Sequence, residues 1–201
     1  KTEGLHLTTG DAATRERTTQ HFIKLTHLCS DLGGNLMVLG SPAQRNRTEG
    51  QTVEEAMDRA AEVLRGVVPT LRERGVRIAL EPLGPTEGDF LNTADQARQL
   101  QAMIGDNSIG LHLDVKAMSS ESEPIDQVIR KHADAMIHFH ANDPNLLGPG
   151  MGDVKFEPIM AALQDVEYDG WVSVEVFDYS PGAEKLTRQS IENLQAAVSM
   201  G

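Results

Sequence analysis

The sequence predicts an α/β chain of the (β/α)8 TIM-barrel type, and three observations carry that reading. Apolar runs of strand length alternate with helix-length segments along the chain, an order that implies a parallel sheet. Four metal-capable side chains, Glu81, Asp114, His140 and Glu175, fall near the ends of four separate strands at intervals of roughly thirty residues, the length of one strand-loop-helix-loop unit. Strand residues that would point the other way, such as Ile78, Leu80, Leu113, Val174 and Val176, are apolar, as strands covered by outer helices require.

Six strands are expected, at Gly4–Leu7, Asn35–Gly40, Val76–Leu83, Ile109–Val115, Met136–Asn142 and Trp171–Phe177. Helix patterns lie between and after them, near 14–32, 52–74, 93–104, 124–133, 156–165 and 183–198. Turn residues mark the boundaries: Ser41 and Pro42 after the second strand, Gly75 after the long second helix, Pro124 at a helix start, and Pro181 with Gly182 before the last helix. The glycine- and proline-rich stretch Asp143–Asp153 follows a strand's carboxyl end, where barrels place their active-site loops, and is read as a rim loop. Asp153 is expected to cap the next helix, and Trp171 to pack at the barrel end.

A chain of 201 residues, 39% of them hydrophobic, can bury one sizeable core, so residues 1–201 are read as a single barrel domain with six of the eight units. The formal charge of -12 argues against a nucleic acid or an anionic membrane as partner, because polyphosphate surfaces repel acidic fields. Neither an apolar stretch long enough to span a bilayer nor a signal-peptide pattern is visible. Cys29 is the single cysteine; it fits a small core residue and a reducing cytoplasm.

Period-2 alternation puts Ala79 with Glu81, His112 with Asp114, His138 with His140 and Asn142, and Ser173 with Glu175 on one strand face. Three carboxylates and one imidazole form a hard, oxygen-rich donor set that suits one Mn²⁺, Mg²⁺ or Co²⁺ ion and could also hold Zn²⁺. A divalent ion would offset three negative charges that otherwise crowd together at a cost. Taken singly, each carboxylate reads more plainly as a cap or a surface charge; the joint arrangement on successive strands carries the metal reading. His112 and His138 fall lower on the same face, where a hydrogen-bonded histidine supporting the ligands is expected rather than a fifth ligand.

The segments Glu81–Leu83, Leu113–Asp114, His138–His140 and Val172–Glu175 together resemble the sugar phosphate isomerase/epimerase family, the xylose isomerase-like TIM barrels that include ketose 3-epimerases, hydroxypyruvate isomerases and inosose enzymes. The resemblance covers nearly the whole chain. It implies that Glu81, Asp114, His140 and Glu175 bind one divalent metal, and that Glu81 and Glu175 double as the acid and base that move a proton between adjacent carbons through a cis-enediolate. Such chemistry needs a base, charge stabilisation at the developing enolate oxygen and a proton donor, all of which two glutamates beside a metal can supply. The expected activity is therefore a metal-dependent isomerase or epimerase of a small sugar or hydroxy-ketone. The family also implies a homo-oligomer, dimeric or tetrameric.

Glu87, in the stretch Glu81–Glu87, matches a substrate-contacting glutamate of ketose 3-epimerases, and its plainer reading is a solvated loop carboxylate. Ala117 stands where those enzymes place a substrate-contacting histidine, and Leu146 where they place an arginine. A pocket rebuilt for another molecule is expected, with Lys116 and Asn142 as the nearby polar groups able to meet a substrate oxygen. A dehydratase of an inosose-like cyclic ketone would use the same metal and carboxylates. An endonuclease IV-like phosphodiesterase would need more histidine ligands, several zinc ions and a basic surface. A non-catalytic barrel remnant that keeps the four ligands for stability is the reading from outside enzymology.

Six strands do not close an eight-stranded barrel, and alignment of the metal ligands with the family that the chain resembles implies that the first two βα units are absent, on the order of 60 residues. With Lys1 in place of methionine at the start, the chain is expected to be part of a longer polypeptide. The alternative is a shortened barrel that closes against another chain, because bare parallel edges invite association.

Overall fold

The computed structural model describes residues 4–199. Tertiary contacts divide the chain into two compact units, Lys1–Leu111 and His112–Gly201, with the boundary inside a strand. Among the described residues there are five strands and seven helices.

The first unit opens with α1 (Ala12–Asp31), whose N-terminus is capped by Asp11 accepting from the Thr14 amide. Then come β1 (Leu36–Leu39), α2 (Val53–Arg74), β2 (Arg77–Leu80) and α3 (Ala94–Ile104). Helix α2 starts where the sequence dictates. Thr52 and Glu55 form a reciprocal capping box, two acidic residues occupy the first turn, and Gly75 ends the helix in the left-handed conformation at φ 64°. Its apolar stripe of Ala56, Met57, Ala60, Ala61, Val63, Leu64, Val67 and Leu71 is buried, and α1 and α3 both pack on this helix. Burial of each larger side chain in that stripe contributes about 1.5–3 kcal/mol, which fixes the helix far more firmly than propensity alone.

Strands β1 and β2 pair in parallel, Leu36 opposite Arg77 through Leu39 opposite Leu80. Strand β3 (Ile109–Asp114) pairs with β2 in parallel, with Leu80 opposite Leu111. It is buried at every position, as expected for a parallel strand covered on both faces.

The second unit continues from β3 into the short α4 (Val115–Met118), then α5 (Ile125–His132), β4 (Met136–Ala141), α6 (Glu157–Asp165), β5 (Val172–Val174) and α7 (Ala183–Ser199). Strands β4 and β5 are parallel, with His140 opposite Ser173. Helices α5 and α6 pack together, as do α6 and α7.

Three expectations are corrected. The stretch Gly4–Leu7 forms no strand: the His6 amide donates to Thr18 Oγ1 and the Leu7 amide to the Gln44 carbonyl, so helix and loop take the groups a ladder would need. Asp153 does not cap α6; the N-cap is Phe156, which has no capping side chain, and Asp153 is exposed. Trp171 precedes β5 and is 83% exposed rather than packed. The α4 turn, which no helix-length pattern announced, forms because Asp114 caps it.

Candidate metal centre

Strand period places the second unit's polar side chains. His112 and Asp114 lie on one face of β3, and His138 and His140 on one face of β4, with Asn142 one position past its end and Glu175 one past β5. His140 Nδ1 lies 3.3 Å from Glu175 Oε2 and 3.7 Å from Asp114 Oδ2, so one ring nitrogen faces two carboxylates. His112, Asp114 and His140 can each offer a ligand atom within 4.8 Å of the others. Asp114, Glu175 and His140, two carboxylates and one imidazole at those 3.3 and 3.7 Å separations, make an oxygen-rich set that fits a hard or borderline divalent cation.

Asp114 is also the helix cap that the plainer reading anticipated. Its Oδ1 accepts from the Ala117 amide at 2.8 Å and its Oδ2 from Asn142 Nδ2 at 2.6 Å. A carboxylate has about four acceptor positions, so two such bonds orient the group and leave capacity for an ion. Asn142 is fully buried, and its Oδ1 accepts from the Lys116 amide at 2.8 Å. Asn142 thus ties the start of α4 to the Asp114 carboxylate, with one amide hydrogen left for a further acceptor. Replacing Asn142 by Leu is expected to weaken Mn²⁺ binding about 10–100-fold with the fold retained, measured by isothermal titration and circular dichroism; unaltered affinity would remove Asn142 from the site.

The Lys116 ammonium lies 4.9 Å from the centroid of the Phe177 ring, a cation–π contact. Leu146 adopts φ 70°, uncommon for a side chain branched beyond Cβ, and its carbonyl accepts from the amides of both Phe177 and Asp178 at 2.9 Å. The rim loop is therefore stitched to the segment that follows Glu175 by a backbone carbonyl, at a position that carries no charge. Asp143, buried at the loop's start, accepts from the Gly152 amide at 3.1 Å, and burial raises its pKa.

In the first unit, Glu81 lies just past β2 and is 8% exposed. Its carboxylate occupies space that only a glycine at position 40 allows, because a Cβ there would overlap Glu81 Oε2. Glu87 is exposed on the loop beyond, where its amide donates to the Gly84 carbonyl.

Arg45 is a residue that the sequence reading missed. It is 1% exposed, and its Nη1 donates to the Leu39 carbonyl at 3.1 Å and to the Glu81 carbonyl at 2.6 Å, joining the ends of β1 and β2. Burial lowers its pKa to about 10 against the opposing pull of Glu81 and Glu87. Set among Gln44, Asn46 and Arg47, it reads in sequence as one more solvated loop cation.

His112 is wholly buried against His138 and His140, with ring centroids at 5.1 and 4.0 Å. Burial, then the nearby rings of His140 and His138, push its pKa down to about 2 from 6.5. The unfolded chain therefore takes up a proton below pH 6.5 that the folded chain refuses until about pH 2. Stability present above pH 6.5 is lost as pH falls through that window, by on the order of 1 kcal/mol per pH unit. Urea melts of the chelator-treated protein at about pH 7 and about pH 5 should show the loss, and His112→Gln should flatten it; an equal acid slope in that variant contradicts the assignment.

The model of one protein family matches residues 2–197, and its description is the xylose isomerase-like TIM barrel. The chain belongs to that family. Within the xylose isomerase-like barrels, it is 34% identical over 119 residues to a D-psicose 3-epimerase of Enterocloster bolteae, covering 59% of this chain and 40% of that protein. It is 30% identical over 160 residues to an inosose isomerase of Bacillus velezensis, covering 73% of this chain and 57% of that protein. The chain thus spans about half the length of these relatives. The crystal structure of D-psicose 3-epimerase from Clostridium cellulolyticum H10 with D-tagatose superposes with a TM-score of 0.83 at 24% identity, covering 99% of this chain and 74% of that one. That likeness shows the barrel fold. No helix among the described residues is long and apolar enough to cross a membrane.

Proposed function

We propose that this protein is a divalent-metal-dependent isomerase or epimerase of a sugar or small hydroxy-ketone, moving a proton between adjacent carbons through a cis-enediolate. The observation that carries the reading is the placing of His140 Nδ1 against both Glu175 and Asp114. In this reading Asp114 and His140 anchor the ion, and Glu81 and Glu175 both ligate it and handle protons. Glu81 is included because the segment Glu81–Leu83 resembles the family's metal-binding glutamate segment. Relatives named D-psicose 3-epimerase and inosose isomerase support the substrate class. Mn²⁺, Mg²⁺ or Co²⁺ suits three carboxylates and one imidazole.

When bound, the ion supplies positive charge to the oxygen that becomes anionic as the α proton leaves. Glu175 takes that proton as carboxylate, and Glu81 returns one to the neighbouring carbon or to the opposite face. Asn142 holds Asp114 in place while the charge shifts. Glu87, Lys116 and Asn142 are proposed to meet substrate hydroxyls. Ala117 and Leu146, apolar where ketose 3-epimerases carry histidine and arginine, favour a substrate other than a free ketohexose. We place the enzyme in the cytoplasm, in keeping with its lone thiol, Cys29, and the family resemblance implies a homo-oligomer.

The test is incubation of the Mn²⁺-loaded protein in D₂O with a panel of ketoses, hydroxypyruvate and cyclic inososes. Carbon-bound deuterium in recovered substrate or in an isomeric product is expected. A product lighter by one water would assign the protein to the dehydratases, and no deuterium uptake from any candidate would sink the proposal.

A further inference from the structure

The three imidazoles of His112, His138 and His140 form a second possible ligand set, distinct from the carboxylate set but sharing His140. We propose that they are an alternative site for a borderline d-block cation, Zn²⁺ above all, and that its occupation excludes the ion held by Asp114 and Glu175. Each of the three rings can offer a nitrogen within 4.8 Å of the other two. Their centroids lie 5.1, 5.0 and 4.0 Å apart, with the rings inclined to one another by 55°, 74° and 79°. Three imidazoles around a tetrahedral ion, at a metal–nitrogen distance of about 2.1 Å, have centroids ~5 Å apart. Two of the three spacings already meet that requirement, and opening the third needs about 1 Å of side-chain movement. His112 is held on the buried β3, while His138 and His140 stand two residues apart on one face of β4 and are only half-buried, so an ion could enter from their side.

Exclusion follows from the chemistry of one ring. A neutral imidazole has a single lone pair, on whichever nitrogen lacks the proton. His140 Nδ1 faces Glu175 and Asp114, so an ion between those carboxylates takes the Nδ1 lone pair and leaves the proton on Nε2. An ion on the three imidazoles needs the same single lone pair: drawn from Nδ1 it competes for the same atom, and drawn from Nε2 it leaves an Nδ1–H that can donate to Glu175 across the 3.3 Å already present. Moving from the first set to the second exchanges the metal–oxygen and metal–Nδ1 bonds for metal–imidazole bonds, and where the tautomer changes, one N–H bond breaks and the other forms by proton exchange with water. The two donor sets also differ in preference: nitrogen ligands favour Zn²⁺ over Mn²⁺ or Mg²⁺, whereas the carboxylates favour the harder ions.

Competition is read directly by titrating Zn²⁺ into the Mn²⁺-loaded protein, with free Mn²⁺ followed by electron paramagnetic resonance. Zn²⁺ should release Mn²⁺ with the sum of bound ions held near one per chain; simultaneous full binding of both overturns the exclusion. Displacement alone could arise at the carboxylates, so an Asp114→Ala variant is tested alongside. It should lose Mn²⁺ and still bind Zn²⁺, and should give a tetrahedral Co²⁺ absorption in the visible. Adding His138→Gln should then weaken Zn²⁺ at least about tenfold; undiminished Zn²⁺ affinity in that double variant overturns the site. Zinc-edge X-ray absorption on the unmodified protein does not depend on any variant folding: a shell of three imidazole nitrogens is expected, and a carboxylate-dominated shell overturns the proposal. Absence of Mn²⁺ binding together with His138-dependent Zn²⁺ binding would sink the isomerase centre proposed above and leave this site standing.

Discussion

Glu175→Gln is expected to keep substrate binding at saturating Mn²⁺ and to lose carbon-bound proton exchange by about 10²–10⁴-fold, the range that a positioned acid or base contributes. The amide keeps an oxygen on the ion and the side chain's shape, but it cannot accept a proton at neutral pH. Glu175 lies one residue past β5, and its partner His140 comes from the neighbouring β4, paired in register through His140 and Ser173. The change should therefore leave the backbone of both strands as it is. Exchange is followed by loss of the α-proton signal in D₂O, and binding by calorimetry. A variant that exchanges at the parent rate would remove Glu175 from the chemistry; one that no longer binds substrate would make it a binding group.

Gly40→Ala, a change of one methyl group, is expected to cost about 10²-fold or more in the same exchange. Position 40 carries no functional group, and the effect arises wholly from Glu81. A Cβ at residue 40 overlaps the Glu81 carboxylate, which must turn away while Arg45 still clamps the Glu81 carbonyl. A misplacement of about 1 Å at a reacting group is enough to account for that loss. The control is Gly33→Ala. That glycine lies in the turn after α1, where no atom stands within 4 Å of its added Cβ, and its positive φ makes the variant a measure of backbone strain alone. Exchange should fall in Gly40→Ala and stay near the parent rate in Gly33→Ala. Equal activity in Gly40→Ala and the parent protein would mean that Glu81 is not a proton-transfer group.

What sequence made legible follows from the range of the forces involved. Helices α2 and α3 were readable to within a residue or two because Thr52, Glu55, Gly75, Thr93 and Gly105 are local signals, each acting through its own turn. Glu81, Asp114, His140 and Glu175 were readable as candidates because parallel βα repetition turns even spacing into a common strand end. Long-range partners were not readable. Arg45 lies in a polar loop and is buried only because two strand ends converge on it. The role of Asn142 as a brace on Asp114 depends on a bond across 28 residues that no spacing announces. The stretch Gly4–Leu7 has the composition of a strand, but pairing is a property of the neighbour, and Gln44 and Thr18 took the amides first. Trp171 looked like core by residue type alone, which says nothing about the side from which it is covered.

The proposed centre requires Asp114, His140 and Glu175 to share one divalent ion with Glu81. Anomalous diffraction at the manganese edge from crystals of the protein grown with Mn²⁺ tests this most directly. A single peak per chain is predicted, bonded to carboxylate oxygens of Glu81, Asp114 and Glu175 and to His140 Nδ1 at about 2.0–2.3 Å. A peak that leaves any of these four groups uncoordinated, or no peak at millimolar Mn²⁺, would contradict it.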